Sequence, residues 1–416
     1  MKIAIIGSGI AGLGAAHLLS RAHDVELFER DTRAGGHAHT HRIAHEGQSW
    51  SLDTGFLVFN PATYPNFIRL LGELGVRSQE TDMSFSVRCR RCDLEYSTRT
   101  LSTLFAQPRR LVDPRHLGML VDMLRFFRRG QAFLAGARGG DVSLGEFLDE
   151  GGYGTGLARH FVLPLTGAIW SASFDDMRMF PARSILQFMH NHGMLSATDH
   201  PRWRTVSGGS QTYVQAILHR LGGRVRLGTG VRRVVRREGG VDVTLASGDL
   251  RAFDAVVIAT HADQALGLLG DPSDAERKLL GAFRYSHNAT VLHTGTSMLP
   301  RRQAAWSAWN ADLADCCDSS RPVSLTYQLN RLQGHAGRTM FSVTLNHDRP
   351  FDGEVLAVMD YTHPILDGPA LAAQPALAAL NGTRHTYYCG AHLRYGFHED
   401  GLVSAVAVAR GLGVTW

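Results

Sequence analysis

A glycine-rich turn close to the amino terminus constrains the fold of this chain more than any other feature. Residues 2–6 form a β-branched run typical of a buried parallel strand, and the sequence GSGIAG follows at residues 7–12. Residues 11–20 have helical character, and a second apolar run over residues 25–28 ends in Glu29. This order of strand, G-x-G-x-x-G, helix, strand and acid predicts a Rossmann-like unit that binds a dinucleotide.

Each glycine of this turn has a distinct physical role. Gly7 permits the tight turn, Gly9 lets a pyrophosphate approach the backbone, and Gly12 lets helix and strand pack closely. The amino terminus of the helix then faces the phosphates with unpaired N–H groups and a partial positive charge. The acid at the end of the second strand can accept hydrogen bonds from ribose hydroxyls. The predicted cofactor contacts in this unit are Gly7, Gly9, Ile10, Ala11, Gly12 and Glu29.

Two blocks after the acid indicate which dinucleotide is bound. The double glycine Gly35-Gly36 resembles the R-x-G-G element of FAD oxidoreductases. The block LDTGF at residues 52–56 resembles the strand that passes the isoalloxazine ring in the flavin amine oxidase and phytoene desaturase superfamily. This resemblance implies FAD as the cofactor, bound non-covalently because Cys389 is expected in a core strand. The contacts that it implies here are Arg30, Gly35, Gly36, His37, Thr54, Gly55 and Phe56.

Two later stretches are similar to parts of the same superfamily that return to the cofactor. A predicted β-hairpin over residues 224–245 would lay Val231 against the adenine, and a buried strand at 254–258 leads into the turn Ala259-Thr260. Near the carboxyl end, a strand at 386–389 leads into Gly390, and a helix follows at 402–411. The acid that relatives carry directly after this glycine is replaced by Ala391. The contacts implied in this last stretch are therefore Gly390, Glu399, Asp400 and Leu402.

The predicted fold class is α/β, with a discontinuous Rossmann-like FAD-binding domain and a mixed α+β substrate domain. A length of 416 residues suits two or three domains of ordinary size. The FAD-binding domain is predicted at 1–75, 204–265 and 381–416. The substrate domain is predicted at 76–203 and 266–380.

Composition narrows the partners and the compartment. The net charge of +5 comes almost entirely from arginine, and we find no nucleic-acid reader element, so no nucleic-acid partner is expected. Five cysteines in a long chain do not indicate a disulfide framework, and C-x-x-C at Cys89 and Cys92 lacks a second pair, so no metal is expected. The expected location is cytoplasmic. A basic and apolar stretch over residues 107–140 leaves peripheral attachment to the inner membrane open.

Several interior blocks resemble one bacterial branch of the superfamily, known as predicted NAD/FAD-binding proteins. Its genes often lie beside those for cyclopropane-fatty-acid-synthase-like methyltransferases, and some members are implicated in desaturation on the way to furan fatty acids. The resemblance implies an FAD-dependent desaturase of methylated acyl chains in membrane phospholipids, with a lipid methyltransferase as a partner. The blocks are residues 169–171, 191–193, 203–210, 306–310 and 396–401.

The residues themselves allow a choice between chemistries. Amine oxidases of the superfamily commonly hold a water near the flavin with a lysine, but the only lysines here are Lys2 and Lys278, neither placed for that role. Desaturation instead needs a base beside the flavin, and histidine is suited to proton transfer near neutral pH. The catalytic candidates are His398, His192 and Tyr361. An amine or polyene oxidoreductase remains an alternative, as does a non-enzymatic FAD-stabilised partner of a methyltransferase.

Overall fold

The computed structural model describes residues 1–136, 142–198 and 200–416. Their β-strands form two large and three small sheets. The strands, in chain order, are β1 (Lys2–Ile6), β2 (Asp24–Phe28), β3 (Thr40–His45), β4 (Gln48–Asp53), β5 (Ser78–Glu80), β6 (Phe85–Cys89), β7 (Leu94–Ser97), β8 (Arg204–Val206), β9 (Val225–Arg226), β10 (Val231–Arg237), β11 (Gly240–Leu245), β12 (Leu250–Phe253), β13 (Ala255–Ile258), β14 (Arg284–His293), β15 (Trp309–Leu313), β16 (Ser324–Gln328), β17 (Ser342–Leu345), β18 (Val355–Ile365) and β19 (Thr386–Tyr388).

The helices cover the sheets and form a separate helical layer over residues 101–191. In chain order they are α1 (Ile10–Leu19), α2 (Pro65–Leu74), α3 (Leu101–Leu104), α4 (Pro114–Ala135), α5 (Leu144–Glu150), α6 (Thr155–Leu157), α7 (Leu163–Trp170), α8 (Phe174–Met179), α9 (Ala182–Asn191), α10 (Gln211–Leu221), α11 (Ala262–Leu268), α12 (Asp274–Leu280), α13 (Leu329–Gln333), α14 (Gly368–Ala379) and α15 (His398–Gly411). A π-helical turn, Ala158–Val162, joins α6 to α7.

The first large sheet is fully parallel and has the strand order β19-β13-β1-β2-β9. Its central strand β1 is buried on both faces, because successive side chains of a strand point to opposite sides. Ile3 and Ile5 pack with α1, α10 and α15, whereas Ala4 and Ile6 pack with β10–β12, α11, α12 and α14. The predicted α/β class with a Rossmann-like domain is confirmed.

The second large sheet is mixed and has the order β18-β14-β17-β16-β15-β6-β7. Its strands are antiparallel except for β15 and β6, which run parallel in the register Leu313↔Cys89. A second core fills the space between this sheet and the helices α4–α9. The sheet and these helices form the mixed substrate domain.

The packing extends beyond two of the predicted segment boundaries. The parallel sheet takes its strands from residues 1–75, 204–265 and 381–416, as the boundaries anticipate. However, α12 and α14, which fall in the segment 266–380, pack against the same sheet through Leu280 and Leu377. They cover its second face, which a buried parallel sheet requires. The core of the FAD-binding domain therefore continues past 265 and begins before 381.

Helix α4 accounts for most of the basic and apolar stretch, of which residues 137–140 lie outside the described residues. Asp113 caps it by accepting a hydrogen bond from the Arg115 N–H. Met119, Met123 and Phe126 face the core. Across the parts of the chain that the structure describes, no helix combines the length and apolar character needed to cross a bilayer.

Candidate active site

A single elongated cavity of about 570 Å³ connects the glycine turn after β1 with the substrate domain. One end is lined by the turn itself, by the end of β2 and by the turns after β13 and β19. The other end is lined by residues of the mixed sheet and of the helices that cover it. The cavity therefore combines a dinucleotide-sized cleft with a second chamber that belongs to the substrate domain.

The glycine turn has the geometry that a bound pyrophosphate requires. Gly7 has a left-handed φ of +100°, and a Cβ there would lie 2.9 Å from the Ala259 carbonyl oxygen. A Cβ on Gly12 would collide with the Gly7 carbonyl, so this glycine fixes the distance between helix and strand. Gly9 lines the cavity, and apart from its two chain neighbours no residue has an atom within 4 Å of the position that its Cβ would take. The first turn of α1, with Ile10 and Ala11 at the cavity wall, presents its unpaired N–H groups to this open space.

Glu29 is held at the cavity wall by the turn beneath it. Its Oε2 accepts hydrogen bonds from the N–H of Ser8 at 2.9 Å and from the Ser8 hydroxyl at 2.6 Å. Its Oε1 accepts one from the Asp31 N–H at 3.0 Å. These bonds orient the carboxylate at the adenosine end of the cleft, where Arg30 also lines the cavity.

The double glycine packs directly over the first turn. Gly35 has a φ of +118° and donates its N–H to the Ser8 carbonyl at 3.0 Å. A Cβ on Gly36, whose φ is +56°, would lie 3.1 Å from the Gly9 Cα. Gly36 and His37 line the cavity, and Gly35 lies behind them. The predicted second glycine element therefore forms the opposite side of the pyrophosphate cleft.

Separate stretches of the chain meet at the same cavity, as the resemblance implies. The cavity lining includes Gly55, Phe56, Val231, Ala259, Thr260 and Gly390. Thr54 does not reach the lining, and its hydroxyl instead contacts the Tyr361 hydroxyl at 2.7 Å. Carboxyl ends of parallel strands meet at one edge of a sheet, which explains why the turns after β13 and β19 bring Ala259, Thr260 and Gly390 to the same cavity.

The predicted roles of Glu399, Asp400 and Leu402 require correction, because none of the three lines the cavity. Glu399 accepts hydrogen bonds from the N–H groups of Asn66 at 3.0 Å and Phe67 at 2.9 Å, so it caps α2. Asp400 caps its own helix by accepting the N–H of Phe397 at 2.9 Å. Leu402 packs on α1, where a Cβ on Gly14 would lie 2.6 Å from its Cδ1. In this structure these side chains connect or cap helices.

One wall of the cavity, called the aromatic chamber below, consists of aromatic and apolar side chains, most of them from the substrate domain. The Trp170 and Phe188 rings lie 4.8 Å apart between centroids, and Phe188 stacks on Phe397 at 4.8 Å. The chamber is lined by Met83, Ile169, Trp170, Phe188, Met194, Trp203, Trp309, Tyr327 and Phe397. None of these side chains carries a charge.

Charged groups lie at the margins of the cavity. Among the described residues of its lining, the carboxylates are Glu29 and Asp31 at the adenosine end and Asp360, which is exposed and contacts His287 at 2.9 Å. Neither lysine of the chain belongs to the lining: Lys2 lies over the Phe253 ring, and Lys278 is exposed on α12. The expectation that no lysine is placed as in amine oxidases agrees with this geometry.

Six histidines are among the polar residues of the cavity lining. Burial lowers the pKa of His192 and of His363 to about 4, and that of His392 and of His398 to about 3. The rings are therefore neutral near pH 7. The full set in the lining is His37, His192, His261, His363, His392 and His398.

Sequence reasoning did not select His261 or His392, although a positional signal was available. His261 directly follows the turn after β13, and His392 lies two residues after Gly390, so each is next to a turn predicted to face the cofactor. In the structure the His261 ring stacks on Tyr285 with centroids 4.4 Å apart. Neither histidine is part of a spacing motif, so only its position in the chain indicates a place in the cavity.

His192 has the arrangement of a proton acceptor. Its Nδ1 lies 2.8 Å from the Phe188 carbonyl oxygen, which can only accept, so the neutral ring carries its proton on Nδ1. The lone pair is then on Nε2, 3.4 Å from the Thr63 hydroxyl. The ring is stacked on Phe188 with centroids 3.9 Å apart and lies beside the aromatic chamber.

His398 and Tyr361, the other catalytic candidates, line the cavity and make short contacts with buried hydroxyl groups. The Nε2 of His398 contacts the buried Tyr213 hydroxyl at 2.8 Å, and its ring stacks on Phe56 with centroids 3.7 Å apart. The Tyr361 hydroxyl contacts Thr54 and also His39 Nδ1 at 2.8 Å. Burial raises the pKa of Tyr361 to about 12, so it stays protonated. Both side chains have the geometry of wall residues.

Fold and site together define an FAD-dependent oxidoreductase. The chain belongs to the flavin containing amine oxidoreductase family, whose sequence profile matches residues 10–307. Within the described residues no cysteine lines the cavity, and Cys389 is buried in the core beside β19, in keeping with non-covalent FAD. FAD supplies, when bound, an acceptor for a hydride equivalent.

Comparison with individual proteins supports this assignment. A Mycobacterium tuberculosis protein, provisionally described as flavin-containing monoamine oxidase AofH, is 29% identical over 344 residues, which cover 79% of this chain and 71% of that protein. The flavin-dependent L-tryptophan oxidase RebO of Lentzea aerocolonigenes is 26% identical over 278 residues, covering 59% of this chain and 54% of that protein.

Solved structures share the whole fold at low sequence identity. A putrescine oxidase variant has a TM-score of 0.74 at 15% identity and covers 99% of this chain and 98% of its own. A CLA-producing fatty acid isomerase from P. acnes has a TM-score of 0.68 at 18% identity and covers 98% of both chains. These likenesses establish the fold that the chain shares with both.

The open space above Gly9 gives a direct test of cofactor binding. We expect Gly9→Val to fold but to lose FAD, because its side chain meets no protein atom and enters the volume that the pyrophosphate needs. Flavin content is measured by absorbance after gel filtration, and folding by circular dichroism. The matched control is Gly72→Val on the exposed side of α2, where a Cβ also meets nothing within 4 Å. A Gly9→Val variant with full flavin content would contradict the assignment.

Proposed function

We propose that this enzyme desaturates acyl chains of membrane phospholipids, with methylated chains as its preferred substrates. The observation that carries the proposal is the aromatic chamber, whose described lining offers shape and apolar surface but no fixed charge. Transfer of an acyl chain from water into such a chamber is favourable by about 0.8 kcal/mol for each buried methylene. The methyl branch and the phospholipid head group are taken from the resemblance of the sequence to the furan fatty acid branch.

Amine oxidation is the alternative suggested by the names of the relatives. An amine is cationic near neutral pH, and burying a charge without a partner costs several kcal/mol. The chamber offers neither a carboxylate to pair with an ammonium group nor the lysine of the amine oxidases. The likeness in fold to a fatty acid isomerase supports the view that this architecture accommodates acyl chains.

His192, which lies beside the chamber, can act as the proton acceptor of a desaturation. Two carbons of the acyl chain lose a hydride and a proton, so a double bond forms between them while FAD accepts the hydride equivalent. His192 Nε2 can accept the proton, because its lone pair is fixed by the hydrogen bond of Nδ1 to the Phe188 carbonyl. The Phe188 ring, on which His192 stacks, packs against Trp170 and forms the apolar wall beside this nitrogen.

The substrate class is tested by mixing the oxidised enzyme with candidates under anaerobic conditions and following the flavin absorbance. We expect methyl-branched unsaturated phospholipids to bleach the flavin, whereas primary amines and polyamines leave it oxidised. The Gly9→Val protein mixed with an equal concentration of free FAD reports any bleaching that does not depend on bound cofactor. Rapid bleaching by a simple amine, with none by any lipid, would establish amine oxidation in place of desaturation.

The role of His192 is tested by substitution and by pH. We expect His192→Ala to slow flavin reduction by about a hundredfold, the usual scale for losing a positioned base. His398→Ala should slow it only a few fold, because the Tyr213 hydroxyl contacts His398 Nε2 at 2.8 Å, whereas the Thr63 hydroxyl lies 3.4 Å from His192 Nε2 and leaves that nitrogen easier to reach. Since burial lowers the pKa of His192 to about 4, the rate should be flat from pH 8 to 5 and fall as the ring is protonated near pH 4. Stopped-flow pH jumps measure this profile, and equal losses in the two variants would remove His192 from the role.

An outward-facing stripe of α4 is a candidate contact with the membrane. Leu117, Val121 and Leu124 are 39%, 57% and 47% exposed, and their spacing places them on one face of the helix. Arg128 continues this face and is exposed, whereas Arg125 pairs with Asp122 at 2.5 Å. We propose that this apolar stripe, ending in a cation, lies on an anionic bilayer surface from which the acyl chain is taken. A lipid methyltransferase acting on the same membrane stays a prediction.

Cosedimentation with vesicles containing phosphatidylglycerol tests the membrane contact. Replacing Leu117, Val121 and Leu124 by serine should reduce binding without changing FAD content, because none of the three belongs to the core. Arg128→Glu should weaken binding and lower its sensitivity to salt, since exposed charges are screened over about 8–10 Å. Leu250→Ser, at an exposed leucine on β12, is the matched control. Undiminished binding by the triple variant would show that this face of α4 is not the contact.

A further inference from the structure

We propose that the substrate domain holds a structural zinc ion, ligated by Cys89, Cys92, Cys316 and His160. One ligand atom from each of these side chains lies within 4.8 Å of all the others. The Sγ atoms of Cys92 and Cys316 are 3.5 Å apart. None of the four residues lines the cavity, so this cluster is separate from the site of oxidation and reduction.

The fold brings these residues together from three distant parts of the chain. Cys89 ends β6 and Cys92 lies in the turn that follows, while Cys316 comes shortly after the end of β15. Strands β6 and β15 are parallel neighbours, and the N–H of Arg90 donates to the Leu313 carbonyl at 2.9 Å. Two parallel strands that end side by side therefore deliver all three thiols to one edge of the sheet.

His160 completes the set from the helical layer. It lies in the π-helical turn between α6 and α7, a type of distortion that often places a side chain for a specific purpose. Its carbonyl accepts a hydrogen bond from the Tyr96 hydroxyl at 2.7 Å, which ties this turn to β7. Its Nε2 is buried and has no hydrogen-bond partner among the described residues. A buried ring nitrogen without a partner beside three thiols is the arrangement that a metal would satisfy.

The donor set and its dimensions select zinc. A tetrahedral Zn²⁺ with Zn–S bonds of about 2.3 Å separates its sulfur ligands by about 3.8 Å, close to the spacing seen here. Three thiolates and one imidazole form a closed structural set, and C-x-x-C is a common spacing for two zinc ligands. Calcium and magnesium prefer oxygen donors, of which this set has none.

Arginines surround the cluster and favour thiolate ligands. Arg110 donates to the Cys92 carbonyl at 3.1 Å, and Arg159 donates to the Sγ of the neighbouring Cys317 at 3.2 Å. Three thiolates, one neutral imidazole and Zn²⁺ carry a net charge of −1, which these guanidinium groups offset. The ion would link β6, β15 and the helical layer. It would thereby cross-link Cys92 and Cys316, which are more than two hundred residues apart in the sequence.

Metal content of the FAD-loaded protein tests the proposal. Protein purified with a reductant from cells supplied with Zn²⁺ should retain about one zinc per chain, as measured by inductively coupled plasma mass spectrometry. Cys92→Ser and His160→Ala should lower this content by about tenfold or more. Cys317→Ser is the matched control, because Cys317 is exposed, adjacent to Cys316 and bonded to Arg159. FAD content shows that each variant has folded.

A second measurement uses the unmodified protein and does not depend on the folding of variants. A mercurial reagent titrated into the FAD-loaded protein should release zinc to a chromophoric chelator in step with the blocking of three thiols. The proposal is overturned if the reduced, zinc-supplied protein retains no zinc, or if iron is present in its place. It is also overturned if Cys92→Ser keeps full zinc content, or if the intact mass shows a Cys92–Cys316 disulfide.

Discussion

The burial of β1 on both faces is the constraint on which the rest of this structure depends. Ile3 and Ile5 need one apolar layer and Ala4 and Ile6 need another, so the chain must supply cover from both sides. That cover comes from α1, α10 and α15 on one face and from α11, α12 and α14 on the other. These helices come from distant stretches of the chain, and most of them are next in sequence to strands that pair in the same sheet. Their carboxyl ends then meet at one edge, and the cofactor cleft forms there.

Local chemistry made the nucleotide end of the site predictable, whereas longer-range packing decided the rest. Gly7, Gly9, Gly12 and Glu29 act through their immediate neighbours, so a short sequence window contains the information. Glu399 lies in the predicted part of the chain, but its carboxylate accepts the N–H groups of Asn66 and Phe67 and so caps α2. A short sequence window cannot show this contact, because its partners lie more than 330 residues apart. The packing of α12 and α14 beyond the predicted segment boundaries has a similar reason, since both helices cover the second face of the parallel sheet.

Beside the uncharged aromatic chamber, the cavity lining carries histidine rings that are neutral near pH 7. Each buried histidine keeps a low pKa because its protonation would place a cation among other rings and apolar walls, as for His363 beside His261. A neutral imidazole can still donate one hydrogen bond and accept another. The chamber can therefore orient groups and accept a proton without attracting ions. That combination suits a substrate that is uncharged where it reacts, and it would cost a charged substrate its hydration without replacing it.

The mixed sheet connects the chamber to the cysteine cluster through single strands. Trp309 lines the chamber at the start of β15, and Leu313 ends the same strand next to the cluster. Met83 likewise lines the chamber just before β6, which ends at Cys89. Five residues of strand span about 13–17 Å, so both features belong to one rigid pair of parallel neighbours. A ligand bound by the strand ends would hold β6 and β15 in register. The same register sets how Trp309 faces the substrate, because a slip by one residue would turn it to the other side of the sheet.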